Sequence, residues 1–429
     1  MIGNCARSQG RNVYSLLTFL LAVLSGGAVA SGCGQSKVSI PNRETASRSK
    51  DSGKIKICYL GLTCEPAIFV AHEKGFFRDE GLDVELVRTD WATMRDGLAD
   101  GRFQASYSLI MYLMKPIELG QDLRLTGGVH TGCLRIQAGA STNIKTVQAL
   151  KGKKMGVTHM GSPPFLFASR VLADNGIDPK HDVEWVTLPS AAMADALDQG
   201  RVDAVASAEP IGTILVAQKK ARKVCEQASD APYDDEYCCV VVVNGTFGRD
   251  NPSAAAKVTR ALLKGAKWVN TNPTAAARIA VEKKYVEATT EINAQALSML
   301  RFEPGVEKAR RDVRVGAREM KKAGFLKTET DPEELAKNAW LDLDGVTDEW
   351  IKSLQIEKVA SGGRPTRLSP VEFAALLKDE PCCRQSECLG CCCEKSEFRL
   401  PLTEEWAQVQ PIRLDGALQP VERPRLAGP

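Results

Sequence analysis

Cysteine is the residue type with the clearest chemical potential in this sequence. The chain has 14 cysteines among 429 residues, and six of them lie between Cys382 and Cys393. The spacing Cys388-x-x-Cys391 can place two sulfur atoms on one metal ion, with Cys382 or Cys383 and Cys393 as further ligands. Even numbers of cysteines in exported proteins more often form disulfides. The tail therefore admits a disulfide knot, a zinc or iron–sulfur site, or a redox role.

Soft ligands also occur in the body of the chain. Cys64, His130, Cys133 and His159 fall near the ends of predicted strands, which permits a soft metal site. Their spacings match no metal motif, and a disulfide between Cys58 or Cys64 and another of these cysteines explains them at least as well. We therefore expect no bound metal in the body and no cofactor there.

Three predicted helices begin with a proline directly after a predicted strand, at Pro66, Pro163 and Pro210. Such helix starts present free N–H groups and a positive dipole end, which suit a sulfonate, carboxylate or similar anion. The alternative is structural, with Ser162 a plain helix cap and Tyr107 a core aromatic. The ligand-binding candidates come from these loops and from neighbouring strand ends, with Tyr237 as a lid or wall: Thr63, Cys64, Glu65, Tyr107, Ser108, His130, Thr131, His159, Gly161, Ser162, Ser207, Glu209 and Tyr237.

Two of these candidates are acidic. Glu65 and Glu209 would repel an anion at the cleft, or would pair with a cationic or amine-bearing part of the ligand. An anionic ligand, a zwitterion and a pyrimidine-like ligand therefore all stay open.

Several classes of function are disfavoured. The sequence contains no G-x-S-x-G, H-E-x-x-H, Walker A or G-x-G-x-x-G motif, so no residue is predicted to be catalytic. Lys plus Arg number 56 and Asp plus Glu 53. Because these charges are interleaved, no nucleic-acid partner is expected.

Strands and helices alternate from Lys54 onward, which predicts an α/β fold of mostly parallel, helix-flanked sheets. The alternation of strands and helices restarts after a polar segment at Gly139–Asn143, and the predicted elements are helices after about residue 245. We therefore expect two lobes, hinged at two crossings near Gly139 and Asn244, with the ligand cleft between them. The expected segments are 54–138 plus 245–353 for lobe 1, 139–244 for lobe 2, and 354–429 for a linker and cysteine-rich tail.

The N-terminus is typical of an export signal. Arg7 and Arg11 precede a short apolar core, Tyr14–Leu24, and residues 1–32 end in small residues. The ending Ala-Ser-Gly-Cys33 is similar to a bacterial lipobox, with Ala30 where leucine is preferred, which predicts acylation of Cys33. A plain secretory signal is the alternative. Residues 33–53 then form a polar, flexible tether from the membrane.

Residues 54–345 resemble periplasmic binding proteins of the nitrate/sulfonate/taurine type, which are related to thiamine-pyrimidine-precursor binding proteins and synthases. The stretches that carry the resemblance include PAIFVAHEKGFFRDEGLDVELV (66–87), LADNGIDPKHDVEWV (172–186) and ALDQGRVDAVASAEP (196–210). The resemblance implies a two-lobed fold of the class II type. It also implies a lipid-anchored, non-catalytic protein of the bacterial periplasm or cell envelope that delivers a small solute to an ABC permease and ATPase.

Two other functions stay open at this point. One is binding of a pyrimidine precursor or an iron-dependent synthase reaction. The synthase branch is known for a cysteine-rich iron motif, whereas this chain has only Cys238-Cys239, on a strand predicted to be buried. The other is a metal or redox sensor that acts through the cysteine tail.

Overall fold

A computed structural model of the chain describes residues 53–360. The expected signal, nearly all of the tether, Cys33 and the six tail cysteines lie outside the described residues. None of the described helices is both long and apolar enough to cross a membrane.

The described residues form ten strands and fourteen α-helices. The strands are β1 (Ile55–Tyr59), β2 (Val84–Arg88), β3 (Ala105–Leu109), β4 (Leu123–Thr131), β5 (Leu134–Gly139), β6 (Lys154–Val157), β7 (Glu184–Thr187), β8 (Ala204–Ala208), β9 (Ala221–Glu226) and β10 (Tyr237–Asn244). The helices are α1 (Pro66–Glu73), α2 (Phe76–Asp79), α3 (Trp91–Ala99), α4 (Ile110–Glu118), α5 (Pro163–Asp174), α6 (Met193–Asp198), α7 (Ile211–Ala217), α8 (Gly245–Asp250), α9 (Pro252–Thr271), α10 (Pro273–Glu282), α11 (Thr290–Leu297), α12 (Glu307–Lys322), α13 (Pro332–Ala339) and α14 (Asp348–Ser353).

Two five-stranded sheets organise these elements. The first has the order β2-β1-β3-β10-β4, and the second β7-β6-β8-β5-β9. In the first sheet β1 is parallel to β2 and β3, while β10 is antiparallel to both of its neighbours. The second sheet repeats this arrangement with β5 as the reversed strand. Four strands of each sheet therefore run the same way, and the predicted α/β class with two mostly parallel sheets is confirmed.

Both chain crossings lie one strand earlier than expected. Gly139 ends β5, which already pairs with β8 and β9 in the second sheet. Asn244 ends β10, which already pairs with β3 and β4 in the first sheet. The crossings are therefore residues 132–133 and 227–236. The short β5 segment was missed because its character as a strand depends on its neighbours in the sheet.

The crossings run side by side. Gly132 has a φ of 65°, and a Cβ atom built there would lie 2.6 Å from the Cα of Ala228 on the other crossing. Only glycine permits both this left-handed conformation and this close approach. Farther out, Arg170 of α5 pairs with Glu236 on the second crossing at 2.5 Å and with Glu319 of α12 at 3.6 Å. The two lobes are thus linked by ion pairs as well as by the crossings.

Candidate functional site

Four cysteines and one histidine meet where the chain passes between the sheets. Cys64 follows β1, His130 lies near the end of β4, Cys133 lies on the first crossing, and Cys238 and Cys239 begin β10. All five are buried, with at most 6% of their surface exposed. The Sγ atoms of Cys133 and Cys238 are 3.1 Å apart, and those of Cys238 and Cys239 are 3.8 Å apart. We call these five residues the thiol–histidine cluster.

An irregularity in β10 brings the two adjacent cysteines together. Neighbouring side chains of a regular strand point to opposite faces of the sheet. The pairing of β10 with β4 shifts register between Tyr237 and Cys239 and again between Cys239 and Val240. Such bulges re-aim side chains, so Cys238 and Cys239 can both reach the ring of His130.

His130 is the polar group in the cluster with the least support from hydrogen bonds. Its ring is fully buried, and neither ring nitrogen has a hydrogen-bond partner of normal geometry among the described residues. The ring of Phe302 packs against it at 4.9 Å between centroids. One ring nitrogen of His130 and the Sγ atoms of Cys238 and Cys239 lie within 4.8 Å of one another. These are the donor atoms that soft metal ions prefer.

The cluster sulfurs influence one another's ionisation. Burial raises the pKa of Cys238, but hydrogen bonds from Cys133 and Cys239 outweigh burial and lower its pKa to about 6. The hydrogen bond with Cys238 in turn raises the pKa of Cys133 to about 11. Burial is the main reason that the pKa of Cys239 is raised. The first negative charge in the cluster is therefore expected on Cys238.

The two acidic residues predicted for the site each interact with partners in their own lobe. Glu65 accepts hydrogen bonds of 2.7–3.0 Å from the backbone N–H groups of Leu60, Gly61 and Leu62. Burial nevertheless raises the pKa of Glu65 to about 8. Glu209 lies 2.6 Å from the Nε of Arg135. Neither carboxylate needs a cationic ligand, so the expected conflict with an anion is removed.

Anion binding at the helix starts stays a prediction, although the protein's own groups take some of the N–H groups there. Pro163 and Pro164 open α5 without any N–H group, and the N–H of Phe165 donates to the Ser162 side chain. At α1, the hydroxyl of Tyr107 donates to the carbonyl of Cys64 at 2.7 Å. At α7, Glu209 accepts from the N–H of Thr213 in the first turn. Ser162 thus caps α5, and Glu209 takes one of the N–H groups at the start of α7.

Most other predicted site residues have internal partners. Thr63 donates to Asn293 at 2.7 Å, Ser207 donates to Gln137 at 3.2 Å, and Thr131 accepts from Arg301 at 3.3 Å. Gly161 supplies a left-handed turn at φ 82°.

Two other predicted candidates, Ser108 and Tyr237, have different surroundings from each other. Ser108 is buried, and its hydroxyl has no partner among residues 53–360. Tyr237, expected as a lid or wall, is 5% exposed and donates from its hydroxyl to the carbonyl of Glu303. Its ring faces Gly128, where a Cβ atom would lie 2.5 Å from it. Tyr237 is therefore part of the core.

One residue of each lobe, His159 and Arg95, forms a different pair of candidates. His159 follows β6 of the second sheet, is half-buried and has its Nδ1 3.4 Å from the Oγ1 of Thr158. Burial lowers the pKa of His159, and the charge of Arg95 lowers it further. Arg95 lies on α3, which connects β2 and β3 of the first sheet. The charge of Arg95 in the first lobe therefore acts on the imidazole of His159 in the second lobe.

Sequence reasoning missed Arg95 and the membership of Cys238 and Cys239 in the cluster. Arg95 lies in the middle of a helix without a motif around it, so no local pattern distinguishes it. The Cys-Cys dipeptide was visible, but its place on a buried strand concealed the bulge. His159, which the sequence grouped with the soft ligands, is not part of the thiol–histidine cluster.

Comparisons with known proteins agree on one family. The model of the NMT1-like family matches residues 48–282, more than half of the chain. The nitrate/nitrite binding protein NrtA of Synechococcus elongatus is 24% identical over 323 residues, which are 65% of this chain and 72% of that relative. The bicarbonate transport ATP-binding protein CmpC of the same organism is 30% identical over 175 residues, or 36% of this chain and 26% of that relative.

A solved structure has the same fold. The periplasmic aliphatic sulphonate binding protein SsuA from Escherichia coli superposes with a TM-score of 0.56 at 16% identity, covering 66% of this chain and 96% of that one. The resemblance noted from the sequence is confirmed.

Proposed function

Since the chain belongs to the NMT1-like family, we propose that it is the extracytoplasmic solute-binding component of an ABC importer. It captures one small anion between its two lobes and makes no covalent change to it. The named relatives bind nitrate and nitrite or aliphatic sulphonates, and these ligands are all small anions. Closure of the lobes about residues 132–133 and 227–236 provides the mechanism.

The observation that carries the proposal is that a guanidinium on α3 of the first lobe, Arg95, acts electrostatically on an imidazole that follows β6 of the second lobe, His159. The Arg95 side chain is 21% exposed, with its Nε 2.8 Å from the carboxylate of Asp96. A guanidinium offers five N–H donors in a planar fork that fits planar or tetrahedral oxyanions. An anion placed between Arg95 and His159 would be held by both lobes at once, which is the differential contact that lobe closure requires. A zwitterion such as taurine would present its sulfonate to the same pair.

The cellular setting follows from this role. We propose a place in the bacterial periplasm or cell envelope, attached through an acylated Cys33, with a permease and an ATPase as partners. The similarity to CmpC, a transport ATP-binding protein, supports the ATPase partner.

Thermal unfolding of the purified full chain tests the function. The panel is nitrate, bicarbonate, taurine, other sulfonates, aromatic acids and thiamine pyrimidines. A true ligand at 100 times its Kd contributes about 2.7 kcal/mol and raises Tm by about 5 °C. Absence of a shift across the whole panel would reject the proposed ligand class.

A matched pair of variants tests the site. Arg95→Gln removes the guanidinium and should abolish the ligand-dependent shift. Arg102→Gln is the control, because Arg102 is an exposed arginine that pairs with Asp100 at 2.8 Å just beyond the same helix. If Arg95→Gln keeps the full shift, the ligand is held elsewhere.

A further inference from the structure

The thiol–histidine cluster has no role in the proposed anion site, and its own hydrogen bonding is incomplete. A buried polar group without a partner costs about 1–3 kcal/mol. The imidazole of His130 is such a group, since it is fully buried and neither ring nitrogen has a hydrogen bond of normal geometry among residues 53–360, its interaction with the Cys64 thiol being a weak one. The neighbouring thiols are only weak hydrogen-bonding groups. An occupant that accepts lone pairs from sulfur and nitrogen together would remove this cost.

We propose that His130, Cys133, Cys238 and Cys239 bind one thiophilic divalent metal ion of the zinc type. The chain contributes one neutral imidazole and three thiolates, which is a common donor set for tetrahedral zinc. Each thiol that ligates the ion releases its proton to solvent, and no electron is transferred. The inference goes beyond the solute-binding role and does not depend on it.

The distances are close to those that such a site needs. With Zn–S bonds of about 2.3 Å, two sulfurs of a tetrahedral site lie about 3.8 Å apart. Cys238 and Cys239 already have an Sγ–Sγ distance of 3.8 Å. The Cys133 and Cys238 sulfurs, at 3.1 Å, would separate by about 0.7 Å, which a side-chain rotation provides. The fourth donor, a ring nitrogen of His130, is within 4.8 Å of the Cys238 and Cys239 sulfurs.

The surrounding groups suit a charged site. The thiol of Cys64 interacts with the thiols of Cys133 and Cys239 and with the ring of His130, so it lies beside the ligands. Gln227 accepts from the N–H of Cys133 at 3.2 Å through its carbonyl oxygen, which leaves its amide group to interact with Cys238. Partners of this kind orient metal ligands and tune the metal.

The position of the site gives it a mechanical consequence. Cys133 is on the first crossing. Cys238 and Cys239 are the second and third residues of β10, which follows the second crossing, and His130 is the last residue but one of β4, which leads into the first crossing. One ion would therefore join both crossings. We expect the bound metal to raise the stability of the hinge without contacting the solute.

Metal analysis of the full chain tests the site. The six tail cysteines, Cys5 and Cys33 are replaced by serine in a common background, so that only the body cysteines remain. This protein is purified with a reductant, loaded with zinc or with cobalt(II), and desalted. We expect one metal per chain and, with cobalt, the absorption bands of a tetrahedral thiolate site. Less than 0.2 metal per chain in the reduced protein would overturn the proposal.

Variants in that background assign the ligands. Cys238→Ser and His130→Ala should each lower metal occupancy at least tenfold at limiting zinc, whereas Cys225→Ser should keep it. Cys225 is the matched control, because it is a buried free cysteine on β9 outside the cluster. Equal occupancy in Cys238→Ser and Cys225→Ser would overturn the assignment.

Two further readouts keep the proposal falsifiable if a variant fails to fold. The cobalt spectrum of the unsubstituted background needs no variant, and a spectrum without thiolate charge-transfer bands would overturn the site. Mass spectrometry of the zinc-loaded background after mild oxidation should find Cys133 and Cys238 unlinked. A Cys133–Cys238 disulfide that forms despite bound zinc would show that these sulfurs serve as a covalent bridge.

Discussion

The ion pair of Arg135 with Glu209 gives the sharpest test of how the second lobe is held together. Arg135 lies on β5, and its side chain is 7% exposed. Its Nε is 2.6 Å from Glu209, and its Nη1 is 3.6 Å from Glu226. Those carboxylates are 1% and 8% exposed. Replacing Arg135 with methionine keeps the length of the side chain but leaves two buried carboxylates facing an apolar group.

Removal of one partner from a buried pair costs about 3–5 kcal/mol, because the remaining charge is left uncompensated. Burial already raises the pKa of Glu209, while Arg135 opposes that rise. In Arg135→Met the opposing effect of Arg135 is lost, so the pKa of Glu209 is expected to rise further, and uptake of a proton by Glu209 would reduce the loss of stability. The double variant Arg135→Met/Glu209→Gln removes both partners and should recover part of the lost stability.

The assay is urea unfolding of the full chain, followed by circular dichroism. The control is Arg88→Met, which removes an exposed ion pair with Glu287 at 2.8 Å, where the side chains are 40% and 31% exposed. Such pairs contribute about 0–1 kcal/mol. If Arg135→Met loses no more than Arg88→Met, or if the double variant is less stable than Arg135→Met, the argument from burial is wrong.

Three further predictions concern stability. Glu65→Ala leaves three backbone N–H groups without an acceptor and should lower the free energy of unfolding by about 3 kcal/mol or more. Glu65→Gln should lower it less. Equal urea midpoints for Glu65→Ala and the parent would contradict this. Gly265→Ala places a Cβ atom 2.4 Å from the carbonyl oxygen of Ala67, where α9 packs on α1, and should lower stability by about 1–3 kcal/mol. Helix propensity alone predicts the opposite, a gain of about 1 kcal/mol. A higher Tm for the variant would therefore refute the packing argument. The pKa of His159 is lowered in the folded state, so the unfolded chain binds more protons there, and stability should fall as pH drops from about 6.5, the ordinary histidine value. His159→Asn should weaken that fall in pH-dependent urea curves. An identical pH profile in the variant would show that His159 is not its cause.

Local sequence signals predicted the elements that depend on local interactions. Ser162 caps α5 as expected, and its hydroxyl accepts from Phe165. The predicted helices that begin at Pro66 and Pro163 do begin at those residues. Caps, prolines and alternating apolar residues determine these elements within a few residues of chain, so they can be read without knowledge of the fold.

Features that depend on distant residues could not be predicted in this way. β9 reads as a charged, polar segment, yet it forms the edge of the second sheet beside β5. Cys133 and Cys238 are 105 residues apart in sequence and approach each other only because the crossings run side by side. The internal acceptors at the helix starts after Pro163 and Pro210 also include a distant contribution to the fold, since Glu209 accepts from Thr213 while it pairs with Arg135.

The separation of the two candidate sites bears on how binding and hinge motion are coupled. Arg95 and His159 belong to different lobes, so an anion held between them as proposed would favour the closed arrangement and would be released when the lobes part. The thiol–histidine cluster instead lies at residues that both arrangements share, because Cys133 and Cys238 are on or directly beside the crossings. Gly132 and Ala228 already hold these crossings in contact. A metal ion at the cluster would strengthen that contact without favouring either arrangement through the solute. Metal loading should then change the stability of the protein more than its affinity for the anion, and the two ligands should act nearly independently.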